Sequence, residues 1–268
     1  MARKDEYYNR AKQEGYRSRA SYKLLQIDER EHIFSSGDIV VDLGAAPGGW
    51  LQVAANEVGE NGRVIGVDFQ RIKSLDDVPA AVSLIRGDMT DPATRTEIQE
   101  ATTHGRVDVI ISDMAPEMTG EYSLDHARSI HLAEQALATA RELLSPGGHL
   151  VVKVFDGPDL QQFRKQMESS FDFVKAFTPD ASRDQSSERY LIGKRYIQTE
   201  IEEGEQIRVE ITDIGSEGDG IADIDGYRLF VPETTPGDEV TVEIEALKAT
   251  FGFARCLDRE SEDQDNRP

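Results

Sequence analysis

The chain has 268 residues, enough to bury one good-sized core and to carry a second small domain. No apolar run approaches the roughly 20 residues needed to span a bilayer, the opening Met1–Asp5 is too polar to begin a signal peptide, and the single cysteine, Cys256, excludes an internal disulfide or a Cys-rich zinc site. With 51 acidic and 30 basic residues the net charge is −21, which would repel a polyanion at long range unless the surrounding medium is itself molar in salt. There the Debye length falls to about 3 Å and an acidic surface serves hydration, so the composition reads as halophilic, and a soluble, cytosolic, metal-free monomer is expected.

Taken in chain order, short apolar runs alternate with helical patterns up to about residue 197. Strands are expected at Ile39–Leu43, Arg63–Val67, Val82–Ile85, Val107–Ser112 and His149–Phe155, each bounded by Gly, Asp or Pro. Helices are expected near Gly49–Val58, Pro92–Thr102, Leu124–Leu144 and Asp159–Ser170. This alternation predicts an α/β domain, a doubly wound, mostly parallel sheet. The runs Phe171–Phe177 and Arg189–Tyr196 have no helix between them and are expected to pair antiparallel at a sheet edge.

From Thr199 the pattern changes to alternating residues at Gln206–Asp213, Gly220–Ile224, Tyr227–Val231, Glu239–Ala246 and Gly252–Leu257, with no helical stripe. A small all-β barrel over residues 199–258 is expected, after a first domain at 1–198, with a disordered acidic tail at 259–268.

The stretch VVDLGAAPGGW, Val40–Trp50, leads from the first strand into a glycine-rich turn. In an open α/β sheet the loop after the first strand is the usual ligand clamp. Gly44, Gly48 and Gly49 permit a close backbone approach, while the spacing fits neither a dinucleotide fingerprint nor a phosphate-binding P-loop. Asp42, Asp68 and Asp88 stand at three strand ends. Asp68 is placed to accept hydrogen bonds from both hydroxyls of an adenosine ribose. Three carboxylates suit a ligand with an adenosine and a cationic amino-acid portion and would repel a pyrophosphate. S-adenosylmethionine fits that description, although each Asp could instead cap the following helix.

These motifs carry a resemblance. VVDLGAAPGGW, SDMAP (Ser112–Pro116), VVKVF (Val151–Phe155), SSERYLIG (Ser186–Gly193) and the upstream YRSRASYKL (Tyr16–Leu24) resemble, in order, the FtsJ/RrmJ (RlmE) family of ribosomal RNA uridine 2′-O-methyltransferases. The resemblance covers about residues 7–197, and the acidity makes it one of haloarchaeal type. It implies a Rossmann-like methyltransferase fold and S-adenosyl-L-methionine bound by Gly48, Trp50, Asp68, Asp88 and Asp113. The family's catalytic Lys-Asp-Lys-Glu set then falls on Lys23, Asp113, Lys153 and Glu188.

A physical case stands beside it. Methyl transfer from a sulfonium is an in-line displacement, so a hydroxyl oxygen must sit roughly 3 Å from the methyl carbon and be eased of its proton. Lys153 lies within the apolar run VVKVF, where desolvation and a nearby Lys23 would favour the neutral amine, with Asp113 partly opposing. Either a neutral Lys153 takes the proton or a charged one stabilises the developing alkoxide. Glu188 holds substrate or Lys23, and Trp50 could equally be a packing residue. Cys256 lies outside the catalytic domain, which disfavours methylation of pyrimidine C5. Asp113-Met114-Ala115-Pro116 departs from the motif of exocyclic-amine methylases, so oxygen is the expected acceptor.

Up to Ile27 the basic residues Arg3, Lys4, Arg10, Lys12, Arg17, Arg19 and Lys23 are interleaved with Tyr7, Tyr8, Tyr16 and Tyr22, a pattern suited to single-stranded RNA. Gly218–Cys256 resembles a TRAM domain, which implies RNA contact through Arg228, Lys248, Phe251, Phe253 and Arg255, against a local balance unfavourable to phosphate. The expected partner is large-subunit (23S) ribosomal RNA or the large ribosomal subunit, without membrane or metal. A transfer-RNA ribose 2′-O-methyltransferase of the same family would share the active site. A non-catalytic RNA-binding ribosome-assembly factor is the reading of another class, disfavoured because the four-residue set is complete.

Overall fold

The structure, a computed structural model, describes residues 2–102, 107–183, 187–199, 201–224 and 226–257. The acidic tail expected at 259–268 lies outside the described residues. The chain divides into two units between Lys194 and Arg195.

The first unit is built on a seven-stranded sheet of β1 (Ile39–Leu43), β2 (Arg63–Asp68), β3 (Ala81–Arg86), β4 (Val107–Ser112), β5 (Leu144–Phe155), β6 (Phe171–Phe177) and β7 (Glu188–Tyr196). The order across it is β3-β2-β1-β4-β5-β7-β6. Strands β1 to β5 run parallel and β7 runs antiparallel to β5. The helices are α1 (Ala2–Glu14), α2 (Ser21–Glu31), α3 (Gly49–Val58), α4 (Pro92–Ala101), α5 (Tyr122–Leu143) and α6 (Leu160–Glu168).

Side-chain alternation decides what each face carries. Val40, Val64, Val109, Ile111, Val151 and Ile192 pack into one core with Leu24 and Ile27 of α2 and Leu51, Val53 and Ala54 of α3. The alternate residues Val41, Ile65, Ile110, Leu150, Val152 and Leu191 are buried too. Strands buried on both faces read as continuous apolar runs, which is why the parallel sheet was legible in the sequence.

Three elements depart from the expected ones. The helices α1 and α2 carry no clear apolar period, because α1 is mostly polar and α2 presents a short face to α3. Strand β5 begins at Leu144 rather than His149, through Pro146, Gly147 and Gly148, residues that read as a turn. The runs Phe171–Phe177 and Arg189–Tyr196 do lie side by side at the sheet edge as expected, with β6 outermost and β7 between it and β5. Tyr190, Leu191 and Ile192 are fully buried, which the outermost position would not provide.

The second unit is a curled six-stranded sheet of β8 (Gln206–Glu210), β9 (Asp213–Ile214), β10 (Gly220–Ile224), β11 (Tyr227–Val231), β12 (Glu239–Leu247) and β13 (Phe251–Cys256), ordered β8-β12-β13-β11-β10-β9. The expected strand Gln206–Asp213 is broken at Ile211–Thr212 into β8 and β9. There the Ile211 N–H donates to Asp238 and the Thr212 N–H to Ile221. Its core holds Ile211, Leu229, Val231, Val242, Ile244 and Ala254.

Close packing of α3 on β2 gives one test. A Cβ built on Gly66 would lie 2.7 Å from Leu51 Cδ1, so Gly66→Ala should destabilise the protein by about 1–3 kcal/mol through overpacking. Denaturant titration should find that Gly66→Ala/Leu51→Ala costs less than the sum of the single variants, since the two sites share one space.

Candidate functional site

The site is assembled by the same alternation. Residues two apart on a strand share a face, so the core positions Ile111, Val151 and Ile192 carry Asp113, Lys153, Tyr190 and Glu188 on their side of the sheet. Ser112 pairs with Val152, Lys153 with Tyr190, and Phe155 with Glu188. The covering helix α2 supplies Lys23 to the same face.

Lys153 is buried and its ammonium pairs with Asp113 Oδ1 at 3.0 Å, while also donating to the Asp113 backbone carbonyl. Two of the three donors of the lysine are thereby used. The Tyr190 hydroxyl donates to the same Asp113 Oδ1 at 2.7 Å. Lys23, also buried, pairs with Glu188 Oε2 at 2.8 Å and lies 5.7 Å from the centre of the Tyr190 ring. Burial pushes the Asp113 carboxyl up, but the charges of Lys153 and Lys23, with hydrogen bonds from Tyr190 and Lys153, outweigh it and hold the group below the ordinary carboxylate range. Burial, followed by the charges of Asp113 and Glu188, raises the Tyr190 phenol well above its usual value, so it remains a donor.

The four expected catalytic residues thus form one chain of contacts, Glu188 to Lys23, past Tyr190, to Asp113 and Lys153. Tyr190 is the member that sequence reasoning missed. Its place in SSERYLIG two residues after Glu188, on the same strand face, was the available signal.

The glycine-rich turn lies at the neighbouring strand ends. Gly48 adopts a φ of +107°, and a Cβ there would meet Arg17 Nη1 at 2.8 Å. A Cβ on Gly44 would meet Met114 Cγ at 2.5 Å, so the turn packs directly on the segment that follows β4. Asp68 Oδ2 accepts from the Ala46 N–H at 3.0 Å and Oδ1 from the Gln70 N–H at 2.7 Å, holding the turn against the end of β2. Each of these oxygens keeps a second lone pair. Asp42, on the same sheet face, is fully buried, and among the described residues neither of its carboxylate oxygens has a hydrogen-bond partner. Burial first, then the negative charges of Asp113 and Asp68, raise it well above the ordinary range.

Trp50 is buried, stacks 5.7 Å from the Tyr190 ring and donates its indole N–H to the Ala20 carbonyl at 2.8 Å, which makes it a packing residue beneath the site. Asp88 is exposed beyond the end of β3, the outermost strand. Its carboxylate accepts from the Thr90 N–H at 2.9 Å and Oγ1 at 2.8 Å, and these bonds lower its pKa. Asp91, not Asp88, caps α4.

The N-terminal segment serves the site structurally. The Arg17 guanidinium donates to the carbonyls of Pro47 (3.2 Å), Lys73 (2.6 Å) and Ser74, tying the turn to the loop after β2. Tyr7, Tyr16 and Tyr22 pack together at 5.4 and 5.6 Å between ring centres, and of the four expected stacking rings Tyr8 alone is strongly exposed. In the second unit Phe230, Phe251 and Phe253 form a ring cluster at 5.5–5.9 Å, with Phe253 exposed. Arg228 is exposed near it, whereas Arg255 faces Glu243 and Glu245. Among the described residues no cluster of acidic, His or Cys side chains could hold a metal ion, and no helix is long and apolar enough to cross a membrane.

Residues 16–196 match the FtsJ-like methyltransferase family and residues 200–257 match the TRAM domain. The chain is 57% identical over 256 residues to a Halobacterium salinarum protein named ribosomal RNA large subunit methyltransferase E, covering 96% of this chain and 98% of that one. A Haloquadratum walsbyi protein of the same name is 55% identical over 258 residues, 96% of this chain and 100% of the relative. Among solved structures, a Plasmodium falciparum protein described as a ribosomal RNA methyltransferase superposes with a TM-score of 0.60 at 25% identity, over 68% of this chain and 98% of its own.

The orphaned Asp42 carboxyl gives a test that needs no ligand. A carboxyl with a folded-state pKa above its unfolded value contributes stability that is fully present below the unfolded pKa and is lost as pH rises toward the folded one. Asp42→Asn has no such loss, so its stability relative to the parent should increase as pH climbs out of the ordinary carboxylate range. Denaturant melts at constant salt and several pH values measure this; a pH-independent difference would mean that Asp42 is ionised in the fold.

Proposed function

From the premise that the chain belongs to the FtsJ-like methyltransferase family, we propose that it transfers a methyl group from S-adenosylmethionine to the ribose 2′-hydroxyl of a uridine in 23S ribosomal RNA. The observation that carries this reading is the buried contact chain Glu188–Lys23–Tyr190–Asp113–Lys153 beside the glycine-rich turn. The relatives named ribosomal RNA large subunit methyltransferase E, aligned over nearly the whole chain, favour ribosomal over transfer RNA.

The residues present suit the donor. Gly44 and Gly48 let the turn lie close against Met114 and Arg17, Asp68 retains acceptor capacity for ribose hydroxyls, and the buried Asp42 carboxyl, which has no hydrogen-bond partner among the described residues, would gain one in a cationic group. Gly48, Asp68 and Asp113 would hold the donor directly. Trp50 supports them from below through Tyr190, and Asp88 would reach only its outer end. When bound, S-adenosylmethionine supplies an electrophilic methyl group.

The chain's own residues do the rest. Asp113 fixes the Lys153 amine as a donor, with one N–H remaining for a sugar oxygen. An amine held in this way by an ionised partner orients the hydroxyl and stabilises the negative charge that develops on oxygen as the hydroxyl proton is lost to solvent. Lys23 adds a second positive charge, and Glu188 keeps it in place. The TRAM unit adds RNA contact through Phe251, Phe253 and Arg228, and the enzyme works in the cytoplasm.

Lys153→Ala should abolish methyl transfer while leaving S-adenosylmethionine affinity near that of the parent, read by single-turnover assay and calorimetric titration; equal loss of both would make Lys153 a cofactor or structural residue. Mapping ribose methylation in a deletion strain should show one mark missing from 23S ribosomal RNA. A mark missing from transfer RNA, or none missing, would replace the proposed substrate. Removal of residues 199–268 should weaken RNA binding more than donor binding, measured by titrating each ligand separately.

A further inference from the structure

The loop between β4 and α5 is firmly built. Buried Asp125 accepts from the Thr119 N–H and Oγ1, both at 2.8 Å, and from the Gly120 N–H at 3.0 Å. These bonds, the Thr119 backbone bond foremost, lower the Asp125 pKa and keep it ionised as the anchor. Yet this ordered loop and the helix start after it place large apolar side chains in solvent, Met118 at 65% exposure and Tyr122 at 59%.

Tyr122 is exposed and still fixed. Its hydroxyl donates to the Asp156 carbonyl at 2.5 Å. The Asp156 N–H donates to the Ser187 carbonyl at 2.7 Å, and its carboxylate pairs with Arg189 at 3.0 Å, so Asp156 grips β7 on both sides of Glu188. Asp156 also follows Lys153 by three residues, which puts their Cα atoms within about 11 Å of each other. The ring is therefore pinned by its tip to the strand end that carries Lys153, while most of the residue stays in solvent. An aromatic side chain held in this way loses little rotamer freedom when a partner stacks on it.

The surrounding charge says what kind of partner suits it. Glu117 and Glu121 flank the ring in sequence and Asp156 receives its hydroxyl, while Arg189 and Arg128 are the cations on the adjoining elements. A mixed, mainly acidic setting offers little to phosphate. Phosphate contacts also lose affinity steeply as salt rises, whereas stacking on an aromatic face does not depend on charge. A chain with a net charge of −21 has reason to grip RNA in the second way.

We propose that Tyr122 is a stacking platform for a base of the RNA strand at or beside the nucleotide being methylated, a role that rests on the RNA methyltransferase reading above. Its ring sets the placement of the sugar presented to Lys153, and its hydroxyl keeps the ring in register with the β5–β7 end of the sheet.

The test compares Tyr122→Ala with Tyr122→Phe, using single-stranded RNA carrying 2-aminopurine for binding and ribosomal RNA for methyl transfer. Tyr122→Ala should raise the RNA Kd and KM roughly 5- to 150-fold, the equivalent of one lost base stack of about 1–3 kcal/mol. Donor affinity should be unchanged and the stacking quench of 2-aminopurine lost. Tyr122→Phe, which keeps the ring but loses its tether, should retain the 2-aminopurine quench and unchanged donor affinity and raise the RNA Kd and KM far less than Tyr122→Ala. An unchanged RNA Kd and KM in Tyr122→Ala, with methyl transfer intact, would overturn the inference alone. Equal impairment of both variants would also overturn it, making the tether to Asp156 the residue's role. RNA binding that requires the Tyr122 ring, without any methyl transfer by the parent, would uphold the platform and sink the catalytic reading instead.

Discussion

A lysine buried in the sheet cannot stand without a partner, and the pairing of Lys153 with Asp113 is the interaction on which the site's organisation depends. Removing one member of a buried pair strands a charge at a cost of about 3–5 kcal/mol. The adjacent register of β4 and β5 is what brings the two together. With that pair in place, Tyr190 has a carboxylate for its buried hydroxyl and a neighbour for its ring in Trp50, and Lys23 has a surface over which to lie. Glu188 then completes the charge balance, two cations against two anions. The cluster remains neutral within a strongly acidic chain while directing its lysines to one place.

The opposite treatment of Asp42 and Asp113 follows from the same geometry. Both are carboxyls on one sheet face, but only Asp113 sits beside lysines. Asp42 is fully buried near the carboxylates of Asp113 and Asp68, and its pKa moves up where that of Asp113 moves down. Two carboxyls with divergent protonation behaviour next to a glycine-rich turn mark a candidate functional site, and surface ion pairs of the kind found on α1 and α6 carry no such information.

The supporting segments show how an acidic chain deploys its basic residues. Arg17 and Arg19 are spent on carbonyls of the turn and of the loop following β6, and Arg10 on Glu14. The N-terminal tyrosines pack among themselves and fix α1 to α2. In this basic segment Arg10, Arg17 and Arg19 also tie the chain to itself beside the helix that carries Lys23. Among the described large aromatics, open rings remain chiefly at Tyr8, Phe69, Tyr122, Phe173 and Phe253.

The sequence by itself determined the strand–helix alternation, the glycine turn and the β unit after Thr199, because these are written in local periodicity and turn residues, while its resemblance to a family pointed to the Lys-Asp-Lys-Glu set that the fold brings together. It paired the last two strands at the sheet edge but could not tell which of them is outermost, since an antiparallel neighbour of β5 and an edge strand share the same period of two. Nor could it distinguish Asp68, which pins the turn, from Asp88, which closes a surface turn, or find Tyr190 and Tyr122, whose roles come from what lies across a strand or a loop. Those decisions belong to the tertiary structure, because burial, register and the distance between charges exist only once remote segments have been packed against each other.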